Sequence, residues 1–208
     1  MNRGEKLDLY KLHKAEYVAP KKPVLVEIER ANYLTICGQG EPGGETFAAR
    51  ISALYGTAYT IKMTSKAAGR DYVVCKLEGL WWSEEPSCDF ANVPKDTWQW
   101  KLLIRTPDFI DEQDLRQAAE VLTKKGKSSD VELVVLETID EGLCVQMLHV
   151  GPYDKEGETT RTMNAFVEAQ GLVLHGLHHE IYLSDPRRVP PERLRTILRH
   201  PVIKRSSG

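Results

Sequence analysis

The feature that most constrains this fold is a weak internal repeat. Thr35-Ile36-Cys37-Gly38-Gln39-Gly40, a loop and Gly44-Glu45-Thr46 have a counterpart in Gln146-Met147-Leu148-His149-Val150-Gly151, a loop and Gly157-Glu158-Thr159. Each copy then reads as strand, helix, strand, strand. A duplicated unit of this kind predicts one continuous antiparallel sheet about a pseudo-twofold axis. The fold class expected is α+β, with two helices on one face of the sheet and a ligand groove on the other, at the seam of the halves. The halves would be residues 24–110 and 127–203 of a single domain, 24–208. Residues 1–23 are polar, end in Pro20-Lys21-Lys22-Pro23, and read as an arm feeding the first strand.

Periodicity places the elements. Phe47, Ile51, Leu54, Ala58 and Ile61 recur every three or four residues and predict a helix. Tyr55 and Tyr59 form a second stripe beside them, and Gly56 weakens or kinks the helix. Residues 24–28 and 33–37 read as two strands or one bent strand. Residues 71–77 alternate and are rich in β-formers, which predicts a strand. It runs on through Trp81 and Trp82 into a polar loop with Pro86 and Pro94. A strand over 98–105 and a helix over 111–125, stopped by Gly126, complete the first half. The second half predicts strands at 131–138 and 143–150, a Gly151-Pro152-Tyr153 turn and a helix over 158–170. Strands at 178–183 and 196–203 follow, and Pro201 suits a strand end or edge.

Composition excludes several function classes. Of 208 residues, 28 are basic and 30 acidic, for a formal net charge of -2. No global field draws the chain to nucleic acid or to an anionic membrane. The short runs Lys21-Lys22, Lys124-Lys125 and Arg187-Arg188 read as solvated surface. No apolar segment is long enough to span a bilayer and the N-terminus has no signal-peptide core, so a cytoplasmic location is expected. Cys37, Cys75, Cys88 and Cys144 are far apart, and disulfides are not expected in a reducing compartment. No metal and no cofactor are expected: the close pair His178 and His179 points to opposite faces of a strand.

The stretch His178-His179-Glu180-Ile181-Tyr182-Leu183 carries the chemistry. Strand geometry puts His179, Ile181 and Leu183 on one face and His178, Glu180 and Tyr182 on the other. A carboxylate on an inner strand needs a partner, a shifted pKa or a ligand, because an unpaired buried charge is costly. Ser184 is not a hydrolase nucleophile, since there is no GxSxG elbow, and Gly38-Gln39-Gly40 is not a phosphate loop.

The duplicated order, together with Ala58-Tyr59-Thr60-Ile61-Lys62-Met63, Leu77-Glu78-Gly79-Leu80-Trp81-Trp82, His149-Val150-Gly151-Pro152-Tyr153-Asp154 and His178 through Pro186, resembles the GyrI-like small-molecule-binding family over residues 24–203. The strings are most similar to its stand-alone bacterial branch, which resembles hydrolases of cyclopropane-bearing DNA alkylators. The resemblance implies a groove with aromatic walls and one central acid, matched here by Glu180, that takes bulky, flat, often cationic or electrophilic molecules. Glu180 and Tyr182 are then the catalytic candidates, with Trp81, Trp82, Trp100, Tyr153, Tyr55, Tyr59 and His178 as ligand-binding candidates. Adjacent Trp81 and Trp82 cannot share one face of a regular strand, so one of them is expected in the groove. Glu180 would hold or deprotonate a water that attacks the strained ring. The alternatives are a non-catalytic xenobiotic-binding module and a gyrase-modulating interaction protein. The partner expected is a small molecule; the arm is available to close the groove or to contact a second copy, so a homodimer stays open.

Overall fold

The computed structural model describes residues 6–83 and 93–205. Strand β1 (Val24–Ile28) and strand β2 (Ala31–Gln39) are two residues apart, yet they do not pair with each other. β1 pairs with β6 (Gly142–Val150), and β2 pairs with β5 (Val135–Ile139), which itself runs straight into β6. With β3 (Glu78–Trp82), β4 (Gln99–Thr106), β8 (His178–Tyr182) and β9 (Arg195–Lys204), the strand order is β1-β6-β9-β8-β3-β4-β2-β5. A short β7 (Leu172–Leu174) joins the far end of β9, and all strand pairings are antiparallel. The order is palindromic about the β8·β3 pair, and each half lends its first strand to the other. A two-residue link spans at most about 11 Å, so both ends of the path are drawn together and the sheet curls.

One face carries the helices. Leu34, Ile36, Leu102 and Ile104 of the sheet pack against Leu54, Ala58 and Ile61 of α3 (Glu45–Ala67) and Leu115 and Leu122 of α4 (Glu112–Lys124). α3 runs unbroken through Gly56, where an added Cβ would meet Leu122 only at an ordinary contact distance of 3.9 Å. Val145, Leu198 and Val202 pack against Met163 and Val167 of α5 (Glu156–Ala169). α4 has the capping expected of its sequence: Asp111 accepts from Gln113 and Asp114, and Asp114 returns a bond to the Asp111 backbone.

The opposite face is filled by the arm, whose two short helices are α1 (Leu9–Leu12) and α2 (Lys14–Tyr17). Tyr17 and Ala19 bury against Leu148, Ile181 and Ile197. The arm is tied down through charge. Arg105 pairs with Glu16 at 2.6 Å and Arg199 with Glu141 at 3.1 Å, and His179 lies 2.9 Å from Glu141 and 3.0 Å from Glu78. The Tyr17 hydroxyl donates to Glu78, the Gln146 amide donates to the Ala15 carbonyl, and Arg199 donates to the Glu16 carbonyl. Three carboxylates thus face two guanidinium groups and the buried His179 imidazole, with the partly exposed His13 ring 3.3 Å from Glu16, so a proton on His179 balances the buried groups.

Four expectations need correction. The opposite face is not an open groove, because the arm and this network occupy it. Residues 71–77 are extended but form no ladder; their alternation reflects burial under the arm, with Val73 donating to the Leu7 carbonyl and the Lys76 amide to the Tyr10 hydroxyl. Residues 129–133 form a 3-10 turn before β5, so that strand begins at Val135. β7 was not anticipated; it follows Gly171, whose φ of 67° closes α5. Pro86, Cys88 and residues 1–5 lie outside the described residues.

The network predicts a pH dependence of stability. Burial opposes the charged His179 ring, but Glu141 and Glu78 outweigh it and raise the group to about 9 from 6.5. Burial likewise opposes the Glu141 charge, and His179 and Arg199 outweigh it and lower that group to about 2 from 4.5. A raised histidine contributes fully below its unfolded value and loses that contribution as pH rises through its folded value; a lowered carboxyl does the reverse. The urea midpoint should therefore plateau between about pH 4.5 and 6.5, then decline toward pH 9 and toward pH 2. His179→Gln should flatten the alkaline decline. Equal wild-type midpoints at pH 6 and pH 9.5 would contradict this account.

Candidate functional site

The two halves meet where β3 pairs with β8, with Gly79 opposite Glu180 and Trp81 opposite His178. On the other side Trp81 sits opposite Trp100 of β4. Alternation does the rest. Glu78, Leu80, His179 and Ile181 point to the arm. Gly79, Trp81, His178, Glu180 and Tyr182 point to the face that carries α3 and α5. The candidate site thus lies between the helices, above the central strands.

Glu180 is partly covered, its side chain retaining 14% exposure, with His178 at 3.5 Å. Among the described residues neither lysine nor arginine forms an ion pair with it. Tyr182 stands next to it on the strand. The Trp81 indole N–H donates to the Tyr182 hydroxyl at 3.1 Å. An indole nitrogen is a donor only, so the Tyr182 hydrogen is left for Glu180, its hydrogen-bond partner. Burial first, then Glu180, pushes the Tyr182 phenol well above its ordinary value, and it stays neutral. Gly79 makes room for this contact: a Cβ there would lie 2.9 Å from the Trp81 nitrogen and 3.1 Å from the Tyr182 oxygen.

A second carboxyl completes the centre. Glu156, the first residue of α5, is 9% exposed and forms a hydrogen-bonded pair with Glu180, with the Thr196 side chain beside it. Burial and the Glu180 charge raise it well above the carboxylate range. Tyr153, in the turn just before α5, packs edge-on to Tyr182 at 5.9 Å and is pushed up to about 12 by burial and the two glutamates. From the α3 side, Phe47 stacks on Trp81 at 5.9 Å, and Trp98 meets Trp81 edge-on at 5.9 Å. These rings form one run of contacts through Trp81 and Tyr182, and the Tyr182 phenol bonds Glu180. Such rings stack on flat ligands and on cations.

The structure brings Glu180, Tyr182, Trp81, Tyr153 and His178 together. It does not bring the other candidates with them. Trp82 falls on the opposite side of β3 by register. Trp100 is fully buried and belongs to the core: it lies across β2 where Gly38 has no side chain, since a Cβ there would sit 2.1 Å from the ring. Tyr55 and Tyr59 stack on each other at 6.1 Å. Tyr59 is 54% exposed, and Tyr55 packs into the α3 core and reaches the Leu77 backbone. Glu156, Phe47 and Trp98 were missed. Glu156 lies two residues before the predicted helix start at 158, and the observed helix begins with it. A surface depression of about 440 Å³ lies elsewhere, lined by His149, Pro152, Lys155 and Glu158 among others; it contains none of the aromatic wall.

The family described as the GyrI-like small molecule binding domain matches residues 99–203. An uncharacterized conserved protein from Listeria innocua is 41% identical over 95% of this chain and 100% of its own, with a TM-score of 0.88. A hydrolase from Listeria innocua is 40% identical over the same shares, with a TM-score of 0.85. The EcmrR C-terminal domain shares the fold, with a TM-score of 0.57 at 16% identity over 88% of this chain and 98% of its own. No protein of curated function matches. The chain belongs to the GyrI-like family and carries its small-molecule-binding domain. Among the described residues no helix is long and apolar enough to cross a membrane.

Gly79→Ala should separate Trp81 from Tyr182 without touching Glu180. Near-ultraviolet circular dichroism of the indole should change while the far-ultraviolet spectrum is kept, and affinity for a flat aromatic dye should fall by roughly 10-fold, as expected for losing a buried hydrogen bond. Wild-type spectra and affinity in this variant would show that the pair does not shape the site.

Proposed function

We propose that the chain binds bulky, flat aromatic or cationic molecules between α3 and α5 and hydrolyses electrophilic cyclopropanes there, with Glu180 activating water. The observation that carries this reading is Glu180 itself: a carboxyl on an inner strand, partly exposed, at the foot of a wall of aromatic rings, with no guanidinium or ammonium ion pair among the described residues. The 40% identical relative described as a hydrolase supports the same direction.

The chemistry asks little of the protein. A water held by Glu180 gives its proton to that carboxylate as its oxygen bonds to a ring carbon. The breaking carbon–carbon bond sends its electron pair into the conjugated carbonyl, whose oxygen then takes a proton from solvent while Glu180 releases the one it took. The charge that develops is delocalised, so placement of water and ligand supplies most of the rate. Trp81 and Tyr182 do this positioning: the indole fixes the phenol and the phenol fixes the carboxylate. Phe47, Trp98 and Tyr153 hold the flat body of the substrate. A neutral Tyr182 is the form that can donate, and its surroundings keep it so.

Incubation with a spirocyclopropyl cyclohexadienone, followed by mass spectrometry, should give the water-added, ring-opened product over many turnovers. Glu180→Gln should lower kcat by roughly 100-fold or more while a rhodamine dye still binds. Stoichiometric binding without product would leave a sequestering module, with Glu180 as counter-charge to cationic ligands. Full turnover in Glu180→Gln would remove the residue from the chemistry.

A further inference from the structure

We propose that Glu156 is a positioning residue that stays protonated and donates a hydrogen bond to Glu180, so that the site holds one anion rather than two. This deepens the reading above, since it assigns the second carboxyl of the same site. The argument is one of hydrogen-bond inventory. A carboxylate oxygen only accepts. Glu156 and Glu180 are paired, and a pair of acceptors can bond only if one of them carries a proton. Glu156 is buried and its Oε1 has no hydrogen-bond partner, while the neutral Thr196 hydroxyl is the donor beside the group. A bare carboxylate there would have neither solvent nor a cation. A carboxylic acid there has Glu180 as its acceptor.

The surrounding groups agree. From β8 the pair is faced by Glu180, Tyr182 and His178; from the turn before α5 by Tyr153; from β9 by Thr196; and from the segment after β8 by the charge of Asp185, which is felt at Tyr153. Two of these are acids and two are neutral phenols. His178 contacts Glu180, not Glu156. The start of α5 favours a negative charge, but the effect of a helix end is modest and confined to its first turn. Burial beside a second carboxylate moves a group further than that, up to several pH units, and the net direction for Glu156 is upward. The proton therefore resides on Glu156, and Glu180 keeps the charge that holds water or a cation.

A direct test is carbon-13 NMR of protein labelled at the glutamate carboxyl carbons. At pH 7 the spectrum should hold one carboxyl signal at the position of a protonated acid, and that signal should be absent in Glu156→Gln. A spectrum with every glutamate ionised at pH 7 overturns the proposal whatever the substrate turns out to be. Kinetics give an independent reading. Glu156→Gln, neutral and able to donate, should keep kcat within about 3-fold of wild type, and Glu156→Leu should lose roughly 10- to 100-fold. Wild-type kcat should fall at alkaline pH as the second carboxyl ionises, and Glu156→Gln should lack that limb. Glu156→Gln as inactive as Glu180→Gln, or a Glu156→Leu enzyme like wild type, overturns the proposal. If the wild type shows no turnover at all, the hydrolase reading fails by itself, and rhodamine affinity takes over as readout. It should rise at alkaline pH in wild type, as the second negative charge appears, and stay level in Glu156→Gln. A level wild-type profile with the dye bound overturns the proposal.

Discussion

The pairing of β3 with β8 is the constraint on which the rest depends. It joins the two halves, and its register sorts the polar residues of both strands onto two faces with opposite logic. Toward the arm go Glu78 and His179, which meet Arg105, Arg199, Glu16 and Glu141 in a closed, balanced set. Toward the helices go Glu180 and Tyr182, which meet a second acid and aromatic rings. A slip of one residue would exchange the two sets. It would bury Glu180 among the arm contacts and strand Glu78 and His179 beneath the helices.

The two faces solve the same problem of charge in a low-dielectric setting. On the arm side the charges are cancelled by partners, which ties residues 14–20 to the sheet. On the helix side burial and the neighbouring Glu180 charge raise Glu156 well above the carboxylate range, while part of the Glu180 side chain reaches solvent. A balanced network has nothing left to offer a ligand. The acid pair on the other face has no lysine or arginine ion pair among the described residues.

Much of this was legible in the sequence. The repeat predicted one antiparallel sheet about a pseudo-twofold axis, and the period-two pattern placed His178, Glu180 and Tyr182 together. It also required that only one of Trp81 and Trp82 face the site. What was not legible depended on long-range pairing. Helical stripes say that α3 and α5 cover a sheet face, but say nothing of the arm that packs on the other. Trp100 looked like a wall residue because its burial depends on the absent side chain of Gly38, 62 residues away in sequence and opposite it in register. Residues 71–77 alternated because the arm covers them, a partner that a strand pattern cannot name. Glu156 was hidden by a helix start drawn two residues late.

The exchanged strands bear on how this protein folds. β1 completes the second half and β5 completes the first, although each is covalently next to the opposite partner. Neither repeat owns a finished edge. A single copy built this way would close its sheet only by trading strands with a twin. The consequence is kinetic as well. Val24 must find Gln146 before the sheet can close, and contacts of such sequence separation make for slow, all-or-none folding in which the two halves stand or fall together.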